Sequence, residues 1–207
     1  MKQYDAYIFD MDWTLLDTST WILDSLYEAI IQCGINIDRK KISTSLIWYK
    51  IWEIIDILGL WKDDETKSKI IAKFREIYDA NAHKNVVWYD FPLKYVKNLI
   101  WNKKDIFIAT NKPSRATNLI LEKLNIDFAK DVYYPDKYDG KTLDKSEMIA
   151  DIIGKYGLKP SNVAYIWDTD VDYKAACENG CDFWFAKHGY SENAEYLSAN
   201  ADFIFWE

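Results

Sequence analysis

Three short runs in this chain, Tyr7–Phe9, Ile106–Ala109 and Val163–Trp167, are apolar throughout and stop abruptly at Asp10, Thr110 and Asp168. Continuous apolarity over so few residues predicts strands buried on both faces, the pattern of a parallel sheet rather than of a half-solvated one. Helical periodicity fills the intervals near 92–102, 114–124, 145–156 and 171–179, and further strands are predicted at 131–134 and 182–186. Strands and helices alternating in this way predict an α/β fold with a parallel sheet covered on both faces. Residues 18–85 break the alternation. Ile22, Leu26, Ala29, Ile30 and Cys33 recur at helical spacing up to Gly34, and helical patterns follow near 43–58 and 64–80. The expected organisation is a discontinuous α/β core, 1–16 with 86–207, interrupted by a helical domain at 17–85.

The segment 145–156 carries its own punctuation. Asp144 stands as N-cap with Glu147 three residues on, a capping-box spacing, and Gly157 followed by Pro160 ends the helix. Lys145 is then a cation at a helix N-terminus, where the helix dipole disfavours it by up to ~1 kcal/mol. Such a placement makes sense when an anion sits there to be shared by both. Lys141, in the loop Asp139-Gly140-Lys141, is a rival for the same role.

Bulk properties narrow the function classes. The 207 residues suffice for a core with an insertion, and a net charge of −7 without any Lys/Arg-rich run argues against nucleic-acid or anionic-membrane partners. No apolar stretch has the length of a transmembrane helix. The N-terminal residues run directly into the first strand, so no signal peptide is expected. Cys33, Cys177 and Cys181 lack CxxC spacing and read as reduced thiols of a cytoplasmic protein. His83 and His188 are too few and too separated for a zinc site or a hydrolase triad.

Chemistry concentrates where the strands end. Asp10 and Asp12, spaced i, i+2, can project to one side, and two carboxylates held together call for a cation or for divided acid and nucleophile roles. The run Tyr7–Asp17 resembles D-x-D-G-T-L-x-D, the first signature of the haloacid dehalogenase-like phosphohydrolases. Thr110-Asn111 at a strand end matches that family's second motif, Lys145 its phosphate-binding lysine, and Asp168-Thr169-Asp170-Val171-Asp172 its G-D-(S/T)-x-x-D metal motif. The resemblance spans essentially the whole chain. It implies a Rossmann-like parallel sheet with an inserted α-helical cap domain. It further implies that Asp10 attacks phosphorus to give an aspartyl-phosphate and that Asp12 acts as acid, then base. Mg²⁺ would be held by Asp10, the carbonyl of Asp12 and Asp168, with Asp172 orienting that shell; Thr110, Asn111 and Lys145 would hold the phosphoryl oxygens.

A helical lid favours small phosphorylated metabolites over phosphoproteins, in a monomer or homodimer. Within the family the chain looks most like the phosphoglycolate-phosphatase type. Leu16–Ile22 resembles L-x-D-S-x-P-G-I, with Thr20 in place of Pro, and Leu46-Ile47-Trp48 resembles F-I-G-x-P. A phosphomutase of the β-phosphoglucomutase type and a nucleotidase remain alternatives. A non-catalytic binding module is a third, should Trp13 and Trp167 block the site.

Tryptophan and glycine usage is inverted: ten Trp against seven Gly, where a chain of this length would ordinarily hold about 14 Gly. Trp13, Trp21, Trp48, Trp167 and Trp184 stand where the related phosphatases carry glycine. A gene that reads UGA as glycine, translated here as tryptophan, is the favoured explanation for these five positions. Genuine packing is expected for Trp52 or Trp61.

Overall fold

The computed structural model describes residues 2–47, 49–60, 63–81 and 84–205, so Trp48, Trp61 and His83 lie outside the described residues. In chain order the strands are β1 (Ala6–Phe9), β2 (Leu16–Asp17), β3 (Val87–Trp88), β4 (Asp105–Ala109), β5 (Asp131–Tyr133), β6 (Val163–Trp167), β7 (Asp182–Phe185) and β8 (Phe203–Ile204). The helices are α1 (Ser19–Gln32), α2 (Ile51–Ile57), α3 (Asp64–Ala80), α4 (Asp90–Trp101), α5 (Ser114–Leu124), α6 (Lys145–Tyr156), α7 (Asp170–Asn179) and α8 (Ala194–Asn200).

The apolar runs pair side by side. A six-stranded sheet has the order β5-β4-β1-β6-β7-β8, and every pairing in it is parallel. From β1 the chain steps outward to β4 and β5, then returns to the far side of β1 for β6, β7 and β8. Phe9 lies opposite Ile108 on one neighbour and Ile166 on the other, so Asp10, Thr110 and Asp168 emerge together at the carboxyl ends of three adjacent strands. In open α/β sheets ligands bind at that edge, where the strand order reverses.

Successive side chains of β1 serve opposite faces. Ala6 and Ile8 pack with Met148, Ile149 and Ile152 of α6 and with Ala175 and Ala176 of α7. Tyr7 and Phe9 face the other way, into an aromatic cluster with Tyr95 of α4, Trp184 of β7 and Phe205. Trp184 is buried among Tyr4, Tyr7, Tyr95, Phe203 and Phe205, and its indole N–H donates to the Tyr4 hydroxyl at 3.3 Å.

The chain forms two compact units, one of the residues up to Asp17 together with those from Val87 onward, the other Thr18–Val86. In the second unit α1 packs on α3, Phe74 stacks on Tyr78 at 5.5 Å, and Lys67 of α3 pairs with Asp56 of α2 at 2.6 Å. The single helix expected near 43–58 is corrected. Arg39–Lys41 and Thr44–Leu46 form 3₁₀ turns, and α2 begins only at Ile51. The run Ser43-Thr44-Ser45 explains the break, since hydroxyl side chains compete with the backbone for its hydrogen bonds; Ser43 and Ser45 bond each other at 2.8 Å. The first unit adds α8, β8 and the antiparallel β2–β3 ribbon, in which Leu16 pairs with Trp88 and Asp17 with Val87. Among the described residues no helix is long and apolar enough to cross a membrane.

Candidate active site

Beyond β1 the ladder runs one residue further: the Asp10 N–H donates to the Ile166 carbonyl at 3.1 Å. The chain then closes a tight turn. Leu15 and Leu16 donate to the Met11 carbonyl at 3.2 and 3.0 Å, and Trp13 donates to the Leu16 carbonyl at 2.8 Å. Closure places Trp13 at φ 58, the left-handed region, which costs an L-residue about 1–2 kcal/mol and which glycine enters freely.

The Asp10 carboxylate is buried, 3.5 Å from the Lys145 ammonium. The α6 capping box is present as expected: the Asp144 carboxylate accepts from the Glu147 N–H at 2.8 Å and Glu147 accepts from the Asp144 N–H at 3.0 Å. This fixes the first turn of α6 and turns Lys145 inward. There it donates to the Ala109 carbonyl at 2.6 Å and sits 3.0 Å above the Trp167 ring centroid. Lys141 is instead exposed and pairs with Glu147 at 2.9 Å. Of the two rival lysines, Lys145 is the one at the acids. Burial holds the Asp10 carboxyl well above its ordinary range; Lys145 opposes this, while Asp12, Asp168 and Asp172 add to it. Burial likewise pulls the Lys145 ammonium down, against the attraction of Asp10 and Asp172.

Asp168, one residue past β6, accepts the Tyr190 N–H at 3.0 Å through Oδ2. Its Oδ1 is buried and finds no hydrogen-bond partner among the described residues. Burial pushes its carboxyl up to about 7. Gly189 makes this contact possible, because a Cβ there would lie 2.4 Å from Asp168 Cβ and 2.6 Å from Oδ2. Gly189→Ala is therefore expected to lower stability by ~1–3 kcal/mol, as overpacking does, read as a drop in the denaturation midpoint. Asp172, in the first turn of α7, accepts from the Tyr165 hydroxyl at 3.1 Å and from the Thr169 hydroxyl. Burial raises it to about 6.

Asp12 divides its two oxygens. Oδ2 is 3.2 Å from the Lys112 ammonium, and Oδ1 is buried without a hydrogen-bond partner among the described residues. Thr110 is buried, its hydroxyl accepting the Lys112 N–H at 3.2 Å. Asn111 is different: its side chain is exposed, and the inward member of that segment is Lys112. The rim thus gathers Asp10, Asp12, Thr110, Lys145, Asp168 and Asp172, and adds Lys112, Gly189 and the Tyr190 amide. The Lys preceding Pro113 and a helix was the available signal for Lys112; a backbone donor such as that of Tyr190 leaves none.

Among the described residues no group of three or more His, Cys, Asp or Glu side chains is placed to hold a metal ion. Two carboxylates and a backbone carbonyl are nonetheless a suitable donor set for a hard cation that keeps several waters. The buried, unpartnered oxygen of Asp168 fits such a cation, as does the cluster of acids whose ionised forms burial disfavours.

Known proteins resemble this chain over most of its length. Tyrosine-protein kinase PtkA of Mycobacterium tuberculosis is 23% identical over 95% of this chain, which spans 64% of that relative's length. The phosphoglycolate phosphatase of Pasteurella multocida is 23% identical over 99% of this chain and 95% of its own. The crystal structure of a candidate phosphatase from Clostridium difficile superposes with a TM-score of 0.87 at 23% identity, covering 100% of this chain and 95% of that one, which establishes a shared fold. The model of the haloacid dehalogenase-like hydrolases matches residues 7–186, from within β1 to one residue past β7. The chain belongs to the haloacid dehalogenase-like hydrolase family.

Proposed function

We propose that this protein is a Mg²⁺-dependent phosphatase of small phosphorylated metabolites, phosphoglycolate-like in size and charge, that works through an aspartyl-phosphate. The observation that carries the reading is the buried pair of Asp10 and Lys145 at the sheet rim: a nucleophile-grade carboxylate beside an ammonium able to hold a phosphoryl oxygen. Uncatalysed phosphate-monoester hydrolysis is slow enough that up to ~10²¹-fold acceleration is known, so charge must be met on every side. One carboxylate oxygen of Asp10 attacks phosphorus as the ester P–O bond breaks, and Asp12 gives its proton to the departing oxygen. Water then attacks the phosphorus, giving a proton to Asp12 as the bond to Asp10 breaks and phosphate leaves. The Thr110 hydroxyl and the Lys145 ammonium hold the phosphoryl oxygens as charge spreads over them. Asp10, the Asp12 carbonyl and Asp168 would hold Mg²⁺, which supplies neutralising charge between nucleophile and phosphoryl group. Asp172, itself held by Tyr165 and Thr169, orients that donor set. The helical unit is proposed as the cap that bounds substrate size, as the family resemblance implies; the phosphoglycolate phosphatase relative supports the substrate class.

The test is phosphate release from a panel of small monoesters with and without chelator. Release abolished by chelation and restored by Mg²⁺ is the expected result. Consumption of a sugar bisphosphate without free phosphate would replace the reading by a phosphomutase, and no turnover of any monoester would end it. Stability gives an independent readout. At ten times Kd, Mg²⁺ is expected to add about 1.4 kcal/mol, or roughly 3–6 °C in Tm. The increment should be larger at pH 8 than at pH 5. A carboxyl raised to about 7 in the native state still holds its proton at pH 5 and must release it to bind the ion. In the metal-free protein the same shift makes stability fall as pH rises from the unfolded carboxylate range toward 7. Asp168→Asn should remove the Mg²⁺ increment at both values.

A further inference from the structure

Lys112 places a second buried ammonium at the rim beside that of Lys145, and the motifs of the family resemblance assign it nothing. Its backbone is fixed from both sides. The N–H donates to the Thr110 hydroxyl at 3.2 Å and the carbonyl accepts from the buried Thr117 hydroxyl at 3.1 Å. Pro113, next in the chain, opens α5. The side chain is 4% exposed and reaches Asp12 Oδ2 at 3.2 Å. Burying an ammonium in this way is costly unless a charge meets it, and a lysine serving only as a surface tether would not be drawn inside. The asymmetry at Asp12 is the second observation: the oxygen away from Lys112 is buried and has no hydrogen-bond partner among the described residues. One oxygen is anchored, and the other is left for the reaction.

We infer that Lys112 is a positioning residue for the proton-transfer step, holding Asp12 so that Oδ1 faces the leaving oxygen. This rests on the reading of Asp12 as acid and base. As the ester P–O bond breaks, the proton passes from Asp12 Oδ1 to the alkoxide, and the carboxylate left behind lies against the Lys112 ammonium. In the second step Oδ1 takes a proton from the attacking water. Lys112 itself exchanges no proton and touches no phosphoryl oxygen.

The leaving group discriminates this role from a structural one. An alkyl phosphate needs a proton on its departing oxygen; nitrophenyl phosphate does not. The value of kcat/KM covers only the steps through aspartyl-phosphate formation. Lys112→Met is expected to lower kcat/KM for the alkyl phosphate by about 10–10²-fold, within the range general acid catalysis supplies, and for nitrophenyl phosphate by under about threefold. Asp12→Asn is the reference and should show the same contrast, more strongly, with the double variant no worse than Asp12→Asn alone. Equal losses on both substrates in Lys112→Met would overturn the positioning role. Absence of the contrast in Asp12→Asn would instead reject the acid–base reading itself. Should Lys112→Met fail to fold, Lys112→Gln, whose shorter and neutral side chain does not supply the ammonium that meets Asp12, carries the same two expectations.

Discussion

Asp10→Asn is expected to lower phosphate release by roughly 10⁴-fold or more, the scale on which removal of a covalent nucleophile is felt. It should do so without weakening the protein. The change is nearly isosteric, and the amide cannot attack phosphorus. The stability sign follows from burial. Asp10 lies among Asp12, Asp168 and Asp172 with its carboxyl well above the ordinary range, so at neutral pH its ionised form is a strain on the metal-free fold. A neutral amide removes that strain, and Tm measured in chelator should stay level or rise. Loss of activity together with gained stability is the signature of a side chain kept for chemistry. A melting temperature that falls by many degrees would make Asp10 a structural residue; activity within tenfold of the parent would remove it from the nucleophile's role.

Glycine at positions 13 and 167 together is expected to raise turnover by about 10–10²-fold, the scale on which a misplacement of about 1 Å next to the chemistry is felt. Trp13 follows Asp12 directly and holds a left-handed conformation, with its indole edge-on to Tyr190 at 5.6 Å and its N–H buried without a hydrogen-bond partner among the described residues. Trp167 precedes Asp168 and offers its ring to the Lys145 ammonium. A desolvated cation–π contact is worth ~2 kcal/mol, and under the proposed function it would compete with a phosphoryl oxygen for the same cation. Losing a buried indole at 167 costs about 3–5 kcal/mol, so turnover must be compared well below the melting range. Unchanged turnover in the double variant would defeat the expectation. UGG codons at both positions would end the coding explanation. Trp184 separates from this group: five aromatic rings and a bonded N–H give its indole a physical place, whatever its codon.

The parts of this protein legible in its sequence share one property: the signal was continuous and local. β1, β4 and β6 are unbroken apolar runs, and α6 carries a capping box at one end and a glycine in left-handed conformation at the other. Strand order was not legible, because parallel pairing joins residues as distant as Phe9 and Ile166. The two-residue strands β2, β3 and β8 are too short for any period to show. Asn111 and Lys112 are adjacent polar residues just past the end of β4, and only the turn into α5 decides which points inward. The role of Gly189 depends on how near Asp168 comes, and its neighbours in the chain do not encode that.

The β2–β3 ribbon has a wider consequence. Asp17 pairs with Val87, so the polypeptide departs from the sheet domain and rejoins it at a single doorway. Whatever is spliced between those two residues leaves the register of the six strands untouched. Lineages could therefore trade one helical insert for another while inheriting the strand register and the acids at its rim whole.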